Sequence, residues 1–133
     1  MAPTYVLIVE DEQPVRRALV AWLRRLGFEA EAVESATQAL AAIQRRVPTL
    51  VLSDYVMPFR DGLWLLQQVR SKWPSLPVVL CTGAMLPEHS IEEARQLGAV
   101  DFLAKPFTRE ALYQAILRAT DEDRAVSRGA RRA

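Results

Sequence analysis

Short apolar runs alternate along the chain with longer segments in which apolar residues recur every three or four positions. The short runs are typical of buried β-strands, and the three-to-four spacing is typical of helices with one buried face. Their regular alternation predicts a series of βα units. The predicted strands cover residues 4–9, 28–33, 49–54, 77–81 and 100–104.

Local sequence signals mark the ends of the predicted helices. The first two begin at Pro14 and Ser35, and Gln38 completes a capping-box pattern three residues after Ser35. The other three are predicted over residues 62–72, 87–98 and 108–120. On the third helix, the buried face is predicted to carry Leu63, Leu66 and Val69.

This order of elements predicts a doubly wound α/β fold with a five-stranded parallel sheet and five helices. Parallel strands need crossover connections, and right-handed crossovers place helices on both faces of the sheet. The first, third and fourth strands are almost continuously apolar, which fits burial on both faces. Ligands of such open sheets bind at the carboxyl ends of the strands.

Length and composition favour one compact soluble domain. The chain has 133 residues, of which 50% are hydrophobic and 25% charged, which is ordinary for a globular protein. The apolar runs are too short to span a bilayer, and the N-terminus "MAPTYVLIVEDE" lacks the pattern of a secretion signal. We therefore expect a cytoplasmic protein without membrane contact.

The charge is nearly balanced, with a formal net value of +1. The basic excess lies in residues 121–133, which hold four of the seventeen basic residues and three of the sixteen acidic ones. We expect a domain over residues 1–120, followed by a flexible Arg-rich tail or linker stub, and no direct binding of nucleic acid by the domain. Cys81 is the single cysteine, and its apolar surroundings predict a core residue.

Chemically active side chains follow four of the predicted strands. Three acidic residues, Glu10, Asp11 and Glu12, follow the first strand, and Asp54 ends the third. Thr82 and Lys105 follow the fourth and fifth strands. Carboxylates brought together at one edge repel each other, and a hard cation such as Mg²⁺ relieves this repulsion while leaving coordination positions for phosphate oxygens.

Four motifs match a known family in order and spacing. They are "VEDE" after the first strand, "SDYVMPFRDG" around the third, "CTGA" after the fourth and "DFLAKPF" across the fifth. Over residues 4–120 the chain resembles the receiver domain of two-component response regulators, the family of the chemotaxis regulator. The resemblance implies a flavodoxin-like fold with strand order 2-1-3-4-5 and a phosphorylation-dependent role in signal transduction.

The resemblance also implies roles for individual residues. Asp54 is the expected phosphoacceptor, taking a phosphoryl group from a phosphohistidine of a sensor kinase or histidine phosphotransfer protein. Mg²⁺, or Mn²⁺ in its place, is expected to bind Asp11, Asp54 and the backbone carbonyl of Val56, with Glu10 acting through water. The residues expected to contact the phosphoryl oxygens are Thr82 and Lys105.

Further expectations concern signalling. Thr82 and Phe102 correspond to the switch pair, and Pro106 corresponds to the family's cis-proline. A permanently buried position for Phe102 is an alternative, because phenylalanine lacks the hydroxyl group that favours an exposed state. Signalling is expected to change the face made by the fourth helix, fifth strand and fifth helix, and homodimerisation through that face is a further expectation.

Three other functions are conceivable for a chain of this architecture. A phosphatase of the haloacid-dehalogenase type needs a second aspartate two residues after the nucleophile, where this chain has Val56. A flavodoxin-like flavin carrier binds phosphate after the first strand, where residues 10–12 would repel it. An unphosphorylated receiver-like interaction module remains the alternative. We expect no enzyme activity beyond the chain's own phosphorylation and dephosphorylation.

Overall fold

The computed structural model describes residues 3–83 and 86–132, with side chains up to residue 120. It contains five β-strands, each within one residue of its predicted bounds. Every residue of β1, β3 and β4 is buried, as expected for strands covered on both faces. The strands are β1 (Tyr5–Val9), β2 (Glu29–Val33), β3 (Leu50–Asp54), β4 (Val78–Thr82) and β5 (Asp101–Ala104).

A helix follows each strand. The helices are α1 (Gln13–Arg25), α2 (Ala36–Arg45), α3 (Gly62–Lys72), α4 (Glu88–Gln96) and α5 (Arg109–Arg132). In the part of the chain that the structure covers, no helix is both long and apolar enough to cross a lipid bilayer.

The five strands form one parallel sheet in the order β2-β1-β3-β4-β5. This order confirms the predicted doubly wound fold, and strand order reverses between β1 and β3. One apolar cluster packs α2, α3 and α4 against one face of the sheet, and a second packs α1 and α5 against the other. Burial on both faces fixes the positions at which the strands end, and therefore the positions of the side chains beyond them.

Helices α2 and α3 begin at side-chain caps, and the cap at Ser35 is the predicted one. The Ser35 hydroxyl accepts a hydrogen bond from the Gln38 N–H at 3.1 Å, and the Asp61 carboxylate accepts one from the Trp64 N–H at 2.9 Å. Side-chain acceptors at these positions satisfy N–H groups that lack partners inside the helix.

Two details of the helices differ from the predictions. On α3 the fully buried positions are Gly62, Leu65, Leu66 and Val69, whereas Leu63 is only partly buried. Gly62 lies so close to the end of β3 that an added Cβ would overlap the Asp54 backbone carbonyl. Helix α5 continues to Arg132 instead of ending at residue 120. The domain boundary at residue 120 stays a prediction.

Arg70 of α3 connects two loops at the opposite end of the sheet. Its guanidinium donates hydrogen bonds to the carbonyls of Trp73, Pro74 and Leu76 in the α3–β4 connection, at 3.2, 3.0 and 2.6 Å. It also donates to the carbonyl of Gly98, just after α4, at 3.2 Å. A single side chain thus holds the α3–β4 connection and the C-terminal end of α4 together.

Candidate functional site

Polar side chains converge where the strands end. Asp54 is the last residue of β3, next to Cys81 on β4, and Thr82 is the last residue of β4. Lys105 follows β5 directly, and its N–H donates to the Thr82 carbonyl at 2.8 Å. Asp54 and Thr82 are each only 6% exposed. The strand framework therefore holds a carboxylate, a hydroxyl and an ammonium group at one edge.

Three carboxylates form a compact cluster at this edge. One carboxylate oxygen from each of Glu10, Asp11 and Asp54 lies within 4.8 Å of the others. Glu10 is buried, whereas Asp11 is exposed. The Glu12 N–H donates to Glu10 Oε2 at 3.0 Å, which fixes the buried carboxylate in position.

Lys105 bridges the two buried carboxylates. Its Nζ lies 2.6 Å from Asp54 Oδ1 and 2.9 Å from Glu10 Oε1. An ammonium group is a compact cation that can pair with carboxylate or phosphate oxygens. Lys105 is 31% exposed as a side chain, so it reaches the cluster from a position still open to solvent.

Burial and crowding change the pKa values of the cluster. Burial, followed by the hydrogen bond shared with Glu10, raises the pKa of Asp54 to about 7. For Glu10, burial would raise the pKa, but hydrogen bonds to Asp54, the Glu12 N–H and Lys105 hold it below its usual value. Burial would lower the Lys105 pKa, but its hydrogen bonds to Asp54 and Glu10 raise it. The carboxylate pair is therefore expected to share one proton near neutral pH when no cation is bound.

The donor set of the cluster suits a hard divalent cation. All candidate ligand atoms are carboxylate oxygens, and Mg²⁺ binds proteins through one or two carboxylates while retaining water or phosphate oxygens. Asp11, being exposed, offers its carboxylate from the solvent side of the buried pair. A divalent cation here would replace the shared proton and relieve the repulsion between Asp54 and Glu10.

The cluster opens into a cavity of about 540 Å³. The lining of the cavity includes three residues of the β3–α3 loop, namely Val56, Met57 and Pro58. It also includes Gly83 and Lys105. The Val56 side chain is 70% exposed, whereas Met57 is buried. This opening gives solvent, small anions or a protein side chain access to Asp54.

The remaining predicted residues lie around this centre or away from it. Phe102 is only partly buried; it packs against the cluster of α2, α3 and α4, and the Arg95 guanidinium lies 5.4 Å from its ring centroid. The Lys105–Pro106 peptide bond is cis. Ala84, two residues after Thr82, lies outside the described residues.

Arg16 also helps to hold the site together, and no sequence pattern predicts this role. Its guanidinium donates to the backbone carbonyl of Glu10 at 2.9 Å and, more weakly, to that of Asp11 at 3.4 Å. It thereby holds the acidic loop after β1 against the start of α1. An arginine six positions after a glutamate has no recognisable motif, so only the turn of the loop brings these groups together.

Comparison with known proteins gives a consistent result. The sequence profile of the response regulator receiver domain matches residues 6–117. The chain is 42% identical over 113 residues to the response regulator protein FleR of Pseudomonas aeruginosa, covering 85% of this chain and 24% of FleR. It is 37% identical over 130 residues to the C4-dicarboxylate transport transcriptional regulatory protein DctD of Rhizobium meliloti, covering 96% of this chain and 28% of DctD.

Solved structures give the same picture. The receiver domain of NtrX from Brucella abortus superposes with a TM-score of 0.82 at 35% identity, covering 87% of this chain and 98% of that one. A longer NtrX structure from the same organism gives a TM-score of 0.89 at 32% identity, covering 100% of this chain and 30% of that one. The chain spans about a quarter of the length of the curated relatives named above.

Proposed function

Since the chain belongs to the response regulator receiver family, we propose that it is a switch phosphorylated on Asp54 by a phosphohistidine of a sensor kinase or histidine phosphotransfer protein. The observation that carries this proposal is the contact of Lys105 with Asp54 inside a cluster of three carboxylates. No other carboxylate ends a buried strand in the described residues while also contacting an ammonium group.

The geometry supports a transfer that needs little more than positioning and charge stabilisation. A carboxylate oxygen of Asp54 attacks phosphorus, the P–N bond to the donor imidazole breaks, and an acyl phosphate forms. The rigid end of β3 holds the nucleophile in place, and the ammonium group of Lys105 stabilises charge on the phosphoryl oxygens. Thr82, at the end of the next strand, would donate a hydrogen bond to the same oxygens.

A divalent cation is part of the proposal. Asp11, Asp54 and the backbone carbonyl of Val56 would hold Mg²⁺ or Mn²⁺, and Glu10 would act through water. When bound, the cation neutralises carboxylate charge and stabilises the phosphoryl oxygens. In this structure Glu10 is occupied with Lys105 and the Glu12 N–H, which is consistent with a supporting role rather than direct ligation.

Intact-mass measurement with acetyl phosphate tests this proposal. In Mg²⁺ we expect the chain to gain one phosphoryl group, and with a chelator in excess we expect none, because no cation then neutralises the charge of the crowded carboxylates and of the incoming phosphoryl oxygens. Restoring Mg²⁺ should restore the gain in mass. Equal yields with and without the chelator would contradict the proposed metal dependence.

Signal output is proposed to follow the face of α4, β5 and α5. Two residues would connect the acceptor site to this face. Thr82 lies at the acceptor site, and Phe102 lies on β5, partly exposed beside Arg95. Movement of Thr82 towards the phosphoryl group would leave room for the Phe102 ring to turn inward. Homodimerisation through this face belongs to the same proposal, and an unphosphorylated interaction module is the alternative.

The role of the whole protein also remains a proposal. FleR is described as a response regulator and DctD as a transcriptional regulatory protein. By analogy, phosphorylation here would control an output carried by another domain or partner, and the receiver itself would not bind nucleic acid. It would catalyse only its own phosphorylation and dephosphorylation.

The lifetime of the phosphoryl group gives a separate prediction. Hydrolysis needs a water molecule in line with the bond to be broken, and Val56 lies at the cavity mouth, where its side chain cannot orient water. Val56→Asn is therefore expected to speed loss of the phosphoryl group by about tenfold, equivalent to about 1.4 kcal/mol of barrier. The decay is measured by intact mass after the donor has been removed in Mg²⁺ buffer.

A matched control for this variant is Val47→Asn. Val47 is also an exposed valine, at 52%, but it precedes β3 at the opposite edge of the sheet. Its replacement should leave the decay unchanged. Ala84, two residues after Thr82 in the sequence, likewise has a side chain that cannot hydrogen-bond to water, so Ala84→Glu should also speed decay. A decay of seconds in the wild type, unchanged by either variant, would show that these positions do not control the lifetime.

A further inference from the structure

The β3–α3 loop contains a tight turn with an aromatic residue at its centre. The Arg60 N–H donates to the Pro58 carbonyl at 2.9 Å, and Phe59 between them has a φ of 67°. A hydrogen bond across one residue with positive φ defines a classic γ-turn, which is rare and strained. Bulky side chains seldom adopt this conformation, so phenylalanine is an unfavourable residue for the turn.

Phe59 is also fully exposed, at 105% as a residue. The other large hydrophobic residues exposed in the described part of the chain are covered to a greater degree; they are Leu26 at 38%, Val47 at 52% and Val56 at 70%. The Phe59 ring therefore packs on nothing within the described structure. Phe59 therefore combines a strained backbone conformation with an apolar ring that none of the other described residues covers. Neither feature contributes to the stability of the fold.

The location of Phe59 suggests what covers the ring. Pro58, its neighbour, lines the cavity that leads to Asp54, and so does the exposed Val56. A small phosphodonor can enter this cavity of about 540 Å³ without contacting Phe59. A protein that delivers a histidine side chain to Asp54 must instead cover the surface around the cavity mouth, which includes the β3–α3 loop that carries Phe59 next to Pro58.

We infer that Phe59 is a recognition residue for the protein that donates the phosphoryl group, and that its ring enters an apolar recess beside the donor histidine. This inference rests on the proposed function, because it assigns the ring to the donor for Asp54. Aromatic residues that become fully buried at an interface often dominate its binding energy. Val56, three residues earlier in the same loop, is a second exposed apolar residue.

Two substitutions at Phe59 distinguish the role of its aromatic ring from that of its backbone turn. Phe59→Asn removes the aromatic surface but keeps the turn, because asparagine tolerates positive φ better than other non-glycine residues. Phe59→Trp keeps an aromatic side chain at the same place. Val47→Asn, at the opposite edge of the sheet, controls for the loss of an exposed apolar side chain. All three proteins should melt at or near the wild-type temperature.

Each protein is tested with two donors in Mg²⁺. One is acetyl phosphate, and the other is the histidine kinase that transfers fastest to the wild type, chosen from a panel of purified kinases phosphorylated with radiolabelled ATP. For Phe59→Asn, kcat/KM with the kinase should fall about tenfold or more, whereas the acetyl phosphate rate stays within about twofold. Phe59→Trp and Val47→Asn should retain kinase transfer.

Each other outcome has a definite meaning. If the wild type takes up no phosphoryl group from acetyl phosphate, the proposed function itself fails. Unchanged kinase transfer to Phe59→Asn, or equal losses with both donors, would overturn the inference alone. The inference would also fail if the wild type accepted a phosphoryl group from acetyl phosphate but from none of the kinases in the panel. Self-association that disappears in Phe59→Asn on sedimentation would assign the ring to a second copy of the chain instead.

Discussion

Replacing Asp54 with alanine is expected to abolish formation of the acyl phosphate, because it removes the carboxylate that Lys105 and the rigid end of β3 hold in place. Intact-mass analysis with acetyl phosphate and Mg²⁺ should show no gain of a phosphoryl group. Asp61→Asn is the matched control. Asp61 lies in the same loop and caps α3, and asparagine retains the cap, so this variant should be phosphorylated normally.

The Asp54 variants should also be more stable than the wild type at alkaline pH without Mg²⁺. The pKa of Asp54 is raised to about 7 by burial and by Glu10, so the folded state holds this proton more tightly than the unfolded state. The stability that this tighter proton binding gives the folded state is complete below the unfolded pKa of about 4, and it is lost as pH rises through about 7. Asp54→Asn lacks this loss, and at pH 8 should gain about 1–2 kcal/mol in free energy of unfolding.

Denaturant titrations at pH 5 and pH 8 check the sign of this effect. The advantage of Asp54→Asn should be larger at pH 8, and Mg²⁺ should reduce it by stabilising only the wild type. An advantage that is equal at both pH values would show that Asp54 is ionised throughout.

For the phosphorylation experiment, a phosphoryl group gained by Asp54→Ala at the wild-type yield would show that the acceptor is another residue.

Gly62→Ala is expected to be strongly destabilising. A Cβ at Gly62 would overlap the Asp54 backbone carbonyl and would lie 2.9 Å from the Tyr55 Cα. Both obstacles are backbone atoms at the end of a buried strand, so neither can move without displacing Asp54 or rotating α3. We expect a loss of about 2–4 kcal/mol in the free energy of unfolding, together with slower phosphorylation by acetyl phosphate.

Gly83→Ala is the control for this prediction. A Cβ at Gly83 meets nothing within 4 Å, so the same chemical change should alter the free energy of unfolding by less than about 1 kcal/mol. Both variants are compared by urea denaturation at one pH. If Gly62→Ala unfolds at the same urea concentration as Gly83→Ala, the loop between β3 and α3 can move more freely than the close packing implies.

The fold was predictable because its signals are local. Apolar runs, the Ser35 cap and the glycines after α1 and α4 each act over a few residues, and burial on both faces of the sheet agrees with them. The buried face of α3 was predicted less well. Leu65 is fully buried, whereas Leu63 packs against the core from a partly buried position. The close approach of Gly62 to β3 restricts the rotation of the helix, and this contact has no sequence pattern.

The convergence of Asp54, Thr82 and Lys105 at one edge was predictable for the same reason, since strand ends in a parallel sheet share one side. The partners of each group were not. Lys105 contacts both Asp54 and Glu10, and Arg16 secures the acidic loop through backbone carbonyls. These contacts depend on side-chain conformations and loop paths. The same is true of Phe59, whose exposure and positive φ appear only in three dimensions.

The two ends of α4 are held very differently. At the C-terminal end, the Arg70 guanidinium donates to the Gly98 carbonyl and also to the α3–β4 connection. At the other end, Pro87 provides no side-chain cap. A rotation of α4 about its Gly98 end would therefore displace the residues near Glu88 most, at the end of the sheet where Asp54 lies.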